Sequence, residues 1–283
     1  MQASLASPTA TIARLQELGL STKKSFGQHF LIDGIVLKRI LDLADLSQGD
    51  TVIEIGPGIG TLTLALQERV ARVIAIEFDE ALVMPLRELV DPSIVTVIHA
   101  DAARLLRDEP EMLPQAVASK MVANLPYQIG ATVILRSFEV LDRMESATVM
   151  VQREVADRIR AHVKTKDYGA YTVKLALLAR PAGSFDVSPA SFLPPPRVDS
   201  TVLHLERHPL VRDTEHYHAT RRVVDQAFSM RRKMLRNNLR PLASVQLIES
   251  ACASIGIDPS ARAESLEIEQ FIALADTLTA QVG

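Results

Sequence analysis

The first half of the chain alternates short apolar runs, rich in β-branched residues, with amphipathic stretches. The apolar runs cover residues 51–55, 72–77, 95–100, 120–124 and 146–152. Most of the stretches between them place apolar residues at helical spacing, namely TLTLALQERV, EALVMPLRELV, EPEMLPQAV and ATVILRSFEVLDRM. Before them, DGIVLKRILDLADL opens with Asp33 as an expected helix N-cap. Strands that alternate with helices predict a parallel sheet with right-handed crossovers.

The pattern changes after residue 184. FDVSPASFLPPPRVDSTVLHLERH carries two extended runs around three prolines, which predicts a late strand pair at a sheet edge. Beyond it, helical periodicity takes over in HATRRVVDQAFSMRRKMLRNNL and SLEIEQFIALADTLTA, and Asp258-Pro259 marks a break between these stretches. We therefore predict an α/β domain over residues 1–208 and a small all-helical domain over residues 209–283.

Composition and charge are those of an ordinary globular protein. The 283 residues are 47% hydrophobic and 23% charged, with a net charge of −3, so any affinity for nucleic acid must come from a local patch. The single cysteine, Cys252, excludes an internal disulfide and indicates a reducing compartment. The N-terminal residues lack the apolar core of a signal peptide, and no apolar run is long enough to span a bilayer. We expect a cytoplasmic monomer that does not associate with membranes.

The first apolar run leads directly into EIGPGIGTLT, which contains Gly56, Gly58 and Gly60. A glycine-rich turn between a strand and a helix lets the backbone approach a ligand in front of the helix N-terminus. The spacing G-x-G-x-G departs from the dinucleotide fingerprint G-x-G-x-x-G, which argues against a nicotinamide or flavin pyrophosphate. It suits a nucleoside that carries an amino acid in place of phosphates. A tight strand-to-helix turn without a ligand is the alternative.

Two acids stand at the ends of the next two runs. Glu77 ends the second run, where a carboxylate can accept from ribose hydroxyls. Asp101 and Ala102 follow the third run, and Asp101 is placed to accept from the exocyclic amine of an adenine, with a helix cap as the equal alternative. Because the carboxyl ends of parallel strands meet at one crevice, the glycine turn and the two acids together predict an adenosine site.

The sequence NLPY ends the fourth run, since proline cannot donate to a strand ladder. The oxygen of Asn124 and the carbonyl of Leu125 can both accept from an adenine amine, and these bonds strengthen as positive charge develops on its nitrogen. Pro126 fixes the backbone, and Tyr127 offers a flat face to a base taken out of its stack. Phe192, in SFLPPP, is a candidate for the opposite face or a core residue. An ordinary strand-to-helix turn is the alternative for the tetrapeptide.

These residues carry a resemblance to a known family. NLPY resembles motif IV of the adenine-N6 methyltransferases that use S-adenosylmethionine. The match extends over almost the whole chain to the bacterial small-subunit (16S) ribosomal RNA adenine dimethyltransferases, whose tail motifs fit better than those of the related large-subunit methylases. The segments that resemble this family are KKSFGQHFL, VIEIGPGIGTLT, VIAIEFD, ADA, NLPYQI, SFLPPPRVDSTV, AFSMRRKMLRNNL and GIDPSARAESLEIEQF.

The resemblance implies a Rossmann-like, seven-stranded methyltransferase sheet with a small all-helical C-terminal domain that binds the RNA substrate. It implies methylation of two adjacent adenines to N6,N6-dimethyladenine near the 3′ end of small-subunit ribosomal RNA, with either the naked RNA or an assembling 30S particle as the substrate. His29 stands where many relatives have Asn, which leaves its role at the methionine end of the cofactor open. No metal is expected, because the histidines show no ligand spacing. The implied contacts to S-adenosylmethionine are His29, Leu31, Gly56, Gly58, Gly60, Glu77, Asp101, Ala102 and Asn124.

A basic run, MRRKMLRNNLR, is predicted to form three helical turns in which positions 232, 236 and 240 share one face. In a chain of negative net charge, such a patch predicts contact with RNA phosphates, against the alternative of a solvated basic face. Lys23, Lys24, Lys164 and Lys166 extend the predicted surface. The predicted RNA contacts are Arg231, Arg232, Lys233, Arg236 and Arg240.

Three other functions are compatible with parts of the sequence. A ribosome-assembly or nucleic-acid-binding factor that has lost catalysis would keep the fold, but the intact Glu77, Asp101 and Asn124 weigh against it. An NAD-dependent dehydrogenase is disfavoured by the glycine spacing and by the lack of a hydride-transfer constellation. A large-subunit ribosomal RNA methylase is the nearest alternative among enzymes.

Overall fold

The computed structural model describes residues 5–20, 29–113 and 118–280, which form two compact units. The first unit comprises Met1–Ala156 and Pro181–Arg207, and the second comprises Asp157–Arg180 and His208–Gly283. The predicted division at residue 208 therefore differs from the structure in Asp157–Arg180, which join the helical unit. The reason is packing, since Tyr168 and Val173 belong to the core of that unit.

The strands of the described residues form a seven-stranded sheet, in the order β4-β3-β2-β5-β6-β9-β7, and a two-stranded sheet of β1 and β8. Neighbours from β4 to β6 are parallel, whereas β9 runs antiparallel to β6. The strands are β1 (Phe30–Leu31), β2 (Thr51–Ile55), β3 (Arg72–Glu77), β4 (Val95–His99), β5 (Lys120–Asn124), β6 (Ser146–Gln152), β7 (Ala179–Val187), β8 (Phe192–Leu193) and β9 (Ser200–Arg207).

Helices follow most of the parallel strands in the first unit and make up most of the second. None of the described helices is both long and apolar enough to cross a bilayer. The helices are α1 (Pro8–Glu17), α2 (Gly34–Leu43), α3 (Thr61–Gln67), α4 (Glu80–Leu89), α5 (Ala102–Asp108), α6 (Gly130–Val140), α7 (Arg153–Ile159), α8 (Ala170–Ala176), α9 (Thr214–Ala227), α10 (Leu235–Asn238), α11 (Val245–Ser254) and α12 (Ile268–Ala280), with short 3-10 turns at Pro110–Met112, Pro189–Ser191 and Ala263–Ser265.

The central strands are buried on both faces, as the apolar runs predict. Strand β7 lies at the sheet edge next to β9, which confirms the predicted late strand pair. Asp33 caps α2 as expected, because its Oδ1 accepts from the backbone N–H groups of Ile35 and Val36 over 2.9 and 3.1 Å. The parallel strands β2 to β5 therefore present their carboxyl ends, and the loops that follow them, at one edge of the sheet.

Two of the predicted helices differ from the helices in the structure. The helix expected in EPEMLPQAV is replaced by α5, which begins earlier because Asp101 caps it; part of the predicted segment lies outside the described residues. The prediction that the basic run forms a single helix is wrong. Helix α9 ends at Ala227, residues 228–234 form turns, and α10 has only four residues. A later loop anchors α10 separately, since the N–H groups of Leu235 and Arg236 donate to carbonyls at Ala261 and Pro259. The shared face of 232, 236 and 240 therefore does not form.

Candidate active site

A cavity of about 560 Å³ lies at the carboxyl ends of β2, β3, β4 and β5. This is the crevice in which open α/β sheets bind ligands. Gly60 and Phe192 are predicted site residues that do not line it. The predicted site residues that do line it are His29, Leu31, Gly56, Gly58, Glu77, Asp101, Ala102, Asn124, Leu125, Pro126 and Tyr127.

The three glycines between β2 and α3 all have left-handed backbone conformations, with φ of +69°, +60° and +91° at Gly56, Gly58 and Gly60. A Cβ atom at Gly56 would lie 3.3 Å from the ring of Pro126, and one at Gly60 would lie 2.8 Å from Leu89. Gly56 thus lets the turn approach the NLPY segment. Gly60 lets α3 pack closely against α4, so its role is in packing rather than at the cavity wall.

Glu77 connects the end of β3 to the glycine turn. Its Oε2 accepts from the backbone N–H of Gly58 over 2.9 Å, and its Oε1 accepts from that of Asp79 over 2.8 Å. Burial raises the pKa of Glu77, while these backbone hydrogen bonds act in the opposite direction. Each carboxylate oxygen keeps a further lone pair, so Glu77 can hold the turn and still accept from a ligand.

Asp101 is the N-cap of α5, the alternative that the sequence left open. Its Oδ1 accepts from the backbone N–H groups of Ala103 and Arg104 over 2.9 and 3.2 Å. The residue is nonetheless exposed and lines the cavity. Since both capping bonds use Oδ1, Oδ2 is left for a ligand. Capping the helix and contacting a ligand are therefore compatible roles.

Asn124 ends β5 with its side chain in a defined orientation. The amide Nδ2 donates to the backbone carbonyl of His29 over 3.2 Å. The amide Oδ1 is therefore the atom left to accept from a ligand. The N–H of Leu125 donates to the carbonyl of Met150 over 3.1 Å, and the carbonyl of Pro126 accepts from the N–H of Gly130 over 3.1 Å. These bonds fix the NLPY backbone between β6 and α6.

The Tyr127 side chain is held through its hydroxyl and through its ring. Its hydroxyl lies 2.8 Å from the hydroxyl of Ser200, and its ring lies 5.5 Å from the ring of His29 between centroids, with the planes tilted by 30°. Phe192 does not line the cavity as Tyr127 does. It is 2% exposed and packs with Leu31 in the main core, so its ring is not presented to a base and the core alternative describes it.

Glu54 is a cavity-lining acid that the sequence reasoning missed. It is the fourth of the five residues of β2, is 1% exposed, and its Oε2 has no hydrogen-bond partner among the described residues. Burial raises the pKa of Glu54 to about 8, a shift that the Thr63 hydroxyl opposes and the neighbouring Glu77 adds to. The signal was available, since Glu54 is the only charged residue in the otherwise apolar run TVIEI. A buried carboxyl oxygen without a hydrogen-bond partner favours a ligand that donates to it.

The five predicted RNA-contacting cations lie in the second unit and differ in their partners. Arg231 pairs with Glu264 over 3.1 Å and also donates to the carbonyl of Lys166 over 2.7 Å. Arg236 pairs with Glu249 over 3.1 Å. Lys23 and Lys24 lie outside the described residues. Three of the cations are exposed and form no ion pair within the described part of the chain, namely Arg232, Lys233 and Arg240.

A model of the ribosomal RNA adenine dimethylase family matches residues 19–280. The chain belongs to the ribosomal RNA adenine dimethylase family. This dimethylase is 42% identical over 259 residues to the ribosomal RNA small subunit methyltransferase A of Clostridium botulinum, covering 90% of this chain and 93% of the relative. It is 41% identical over 269 residues to the protein of the same name from Magnetococcus marinus, covering 93% and 94% of the two chains.

Two solved structures share the fold of the dimethylase. One is a dimethyladenosine transferase from Plasmodium falciparum, with a TM-score of 0.68, 22% identity, and coverage of 87% of this chain and 96% of that one. The other is the 23S rRNA methyltransferase ErmE, with a TM-score of 0.65, 28% identity, and coverage of 88% and 99%. Both likenesses confirm the predicted Rossmann-like methyltransferase sheet.

The family assignment confirms the predicted activity and methyl donor. Dimethylases of this family transfer methyl groups from S-adenosylmethionine to adenines of ribosomal RNA. No cluster of three or more potential metal-ligating side chains occurs within residues 5–20, 29–113 and 118–280.

Proposed function

We propose that this dimethylase methylates N6 of two adjacent adenines near the 3′ end of small-subunit ribosomal RNA, in an assembling 30S particle. The observation that carries the proposal is the orientation of Asn124, whose nitrogen is bonded to His29 and whose oxygen is left for the substrate amine. The relatives named small subunit methyltransferase A support this choice of RNA. The end product is N6,N6-dimethyladenine.

The cavity offers a polar group to each part of S-adenosylmethionine, which supplies an electrophilic methyl group when bound. Glu77 would accept from the ribose hydroxyls and Asp101 from the adenine amine. The unpartnered Oε2 of Glu54 fits the ammonium of the methionine part, because a buried acceptor without a donor is costly. Gly56 and Gly58 let the backbone approach the cofactor, and the remaining proposed contacts are Leu31 and Ala102. His29 lines the same cavity, but its side chain is bonded to Pro194.

Asn124 and Leu125 would make the substrate amine nucleophilic. The lone pair of adenine N6 is delocalised into the ring, which makes this nitrogen a poor nucleophile. If Asn124 Oδ1 and the Leu125 carbonyl each accept one of its hydrogens, the nitrogen is drawn toward tetrahedral geometry and its lone pair is released. Both hydrogen bonds strengthen as positive charge develops on N6, so they stabilise the transition state more than the bound substrate.

The same two acceptors permit a second transfer. After the first methylation N6 has released one proton to water and keeps one hydrogen, so one acceptor loses its donor. Because neither acceptor is charged, this loss costs only about 1 kcal/mol. A mechanism with a carboxylate acceptor would be penalised more strongly. The acceptor pair of Asn124 and Leu125 therefore supports dimethylation of each adenine.

The second unit would bind RNA through three cations of the basic run. Arg232, Lys233 and Arg240 form no ion pair with the described residues, so they have no acid to release before they contact phosphates, unlike Arg231 and Arg236. Affinity from such contacts is electrostatic and independent of sequence, so it would hold the RNA while the first unit selects the base. We propose that the dimethylase works in this way as a cytoplasmic monomer.

Labelled S-adenosylmethionine with unmethylated small ribosomal subunits, and in parallel with large subunits, tests the proposal. After exhaustive reaction, mass spectrometry of digested RNA should show N6,N6-dimethyladenine at two neighbouring positions near the 3′ end. The Asn124→Ala variant serves as the control for a contaminating methylase. Label confined to large-subunit RNA would assign the enzyme to the alternative substrate, and a product that remains monomethylated with cofactor in excess would contradict the acceptor mechanism.

A further inference from the structure

His29 contacts the first and last residues of the NLPY segment, Asn124 and Tyr127, and also Pro194, which lies far along the chain. Its backbone carbonyl accepts from the Asn124 amide over 3.2 Å, and its ring lies against the ring of Tyr127. Its Nδ1 lies 2.7 Å from the carbonyl oxygen of Pro194. One residue thus connects the amide proposed to polarise the substrate, the ring proposed to support the base, and the loop that follows β8.

The contact with Pro194 determines which imidazole nitrogen carries hydrogen. A carbonyl oxygen can only accept, so Nδ1 must donate. In the neutral ring Nε2 is then unprotonated and can only accept. A neutral His29 side chain therefore has no donor left for the carboxylate of a cofactor's methionine part.

The loop that receives this hydrogen bond is anchored on both sides. Strands β1 and β8 pair Phe30 with Leu193 and Leu31 with Phe192, directly beside the bond from His29 to Pro194. At the other end of the loop, Ser200 begins β9, is fully buried, and contacts the hydroxyl of Tyr127. The loop between β8 and β9 therefore reaches the NLPY segment twice, once through His29 and once through Ser200.

We propose that His29 is a positioning residue of the dimethylase. It fixes the Asn124 amide with Oδ1 toward the substrate and holds the Tyr127 ring as a support for the base, by coupling both to the loop at Pro194. The inference rests on the proposed function of Asn124. It assigns the His29 side chain to this loop instead of to the methionine end of the cofactor.

Three variants separate the two contacts of the side chain. His29→Asn keeps a donor near the place of Nδ1 but removes the ring, His29→Phe keeps a ring but removes the donor, and His29→Ala removes both. We expect the single-turnover rate of methyl transfer to fall about 10- to 100-fold in His29→Ala, because small displacements of reacting groups are costly. His29→Asn and His29→Phe should lie between this variant and the parent protein.

Affinity for S-adenosylhomocysteine, measured by calorimetry, distinguishes positioning from direct contact with the cofactor. A positioning role leaves the dissociation constant within about 3-fold of the parent value in all three variants, and this binding also shows that they are folded. A large loss of cofactor affinity with an unchanged rate at saturating cofactor would overturn the proposal.

The tautomer of His29 tests the geometry without any activity. In a ¹⁵N NMR spectrum of the parent protein, the neutral form of the His29 ring should carry its proton on Nδ1. His99 serves as an internal reference for the other tautomer, in which Nε2 carries the proton, since its Nε2 donates to the carbonyl of Phe78 over 3.2 Å. The signal is assigned by its loss in His29→Asn. A proton on Nε2 of His29 would contradict the bond to Pro194, whether or not the protein methylates small-subunit RNA.

Discussion

The side-chain nitrogen of Asn124 donates to the backbone carbonyl of His29 over 3.2 Å, and this bond leaves the amide oxygen as a free acceptor. Replacing Asn124 with Ala removes that acceptor from the place where charge develops. We expect the rate of methyl transfer to fall by about two to three powers of ten, with RNA affinity preserved. Single-turnover kinetics and RNA titration measure the two quantities. Near-normal turnover would show that another group polarises the amine.

Binding of S-adenosylmethionine should release a proton from Glu54. Burial raises the pKa of this carboxyl to about 8, so it is mostly protonated at neutral pH when no cation is near. An ammonium group beside it favours the carboxylate, which lowers its pKa and expels the proton. Calorimetry at pH 7 in two buffers of different ionisation enthalpy measures the release. It should disappear in Glu54→Gln; a release that persists in this variant would place the ammonium elsewhere.

The stability of the cofactor-free protein should fall as the pH rises toward 8. The folded chain keeps a proton on Glu54 up to about pH 8, whereas the unfolded chain releases it near the ordinary value of 4.5. The folded state therefore binds more protons between these values, and the free energy of unfolding decreases with pH. Urea unfolding at pH 5 and pH 8 should show a smaller decrease for Glu54→Gln. The exposed Glu111→Gln variant should behave like the parent protein.

Gly56 and Gly256 have the same backbone conformation, but only Gly56 lies close to another segment. Alanine at the two positions therefore distinguishes the effect of backbone strain from the effect of this close approach. Gly56 has φ +69°, and a Cβ atom there would lie 3.3 Å from the Pro126 ring. Gly256 has φ +70°, but a Cβ atom there would have no described atom within 4 Å apart from its chain neighbours. Alanine at either position should cost about 1–2 kcal/mol of unfolding free energy. Only Gly56→Ala should also weaken binding of S-adenosylhomocysteine, because its Cβ must displace the Pro126 ring. Equal cofactor affinity in the two variants would contradict a role for this approach.

The unpaired cations of the second unit should account for more of the salt dependence of RNA binding than the paired ones. Replacing Arg232, Lys233 and Arg240 with Gln should reduce the slope of log K against log salt by about 2 to 3. Replacing Arg231 and Arg236 should change it less, because each already neutralises a glutamate. Filter binding across a salt series measures both slopes. Equal effects per residue would show that the ion pairs open freely on binding.

The parallel strands could be read from the sequence because burial on both faces demands continuous apolar runs. The runs at 51–55, 72–77 and 120–124 coincide with β2, β3 and β5 in the structure. The strand ends then place Glu77, Asp101 and Asn124 at one cavity without any further information. Local pattern and sheet geometry are thus sufficient for the position of the site.

What the sequence could not predict depends on contacts between distant residues. The bond between His29 and Pro194 joins positions that no local pattern relates. The basic run has the composition of a helix, but the carbonyls of Pro259 and Ala261 receive the first N–H groups of α10 and separate it from α9. Phe192 could not be assigned to the core or the cavity from its type alone. Each of these outcomes is decided by packing.

The order of strands has a consequence for the nascent chain. Strand β9 lies between β6 and β7, although it is synthesised after both, and β1 pairs with β8, which follows it by more than half the chain. Until Ser200–Arg207 leave the ribosome, β7 has no neighbour to join and Tyr127 has no hydroxyl to contact. Such late, non-local closure is slow compared with helix formation. A chain that ends before Ser200 would therefore have the glycine turn but lack the hydroxyl that holds Tyr127, so we expect it not to methylate RNA.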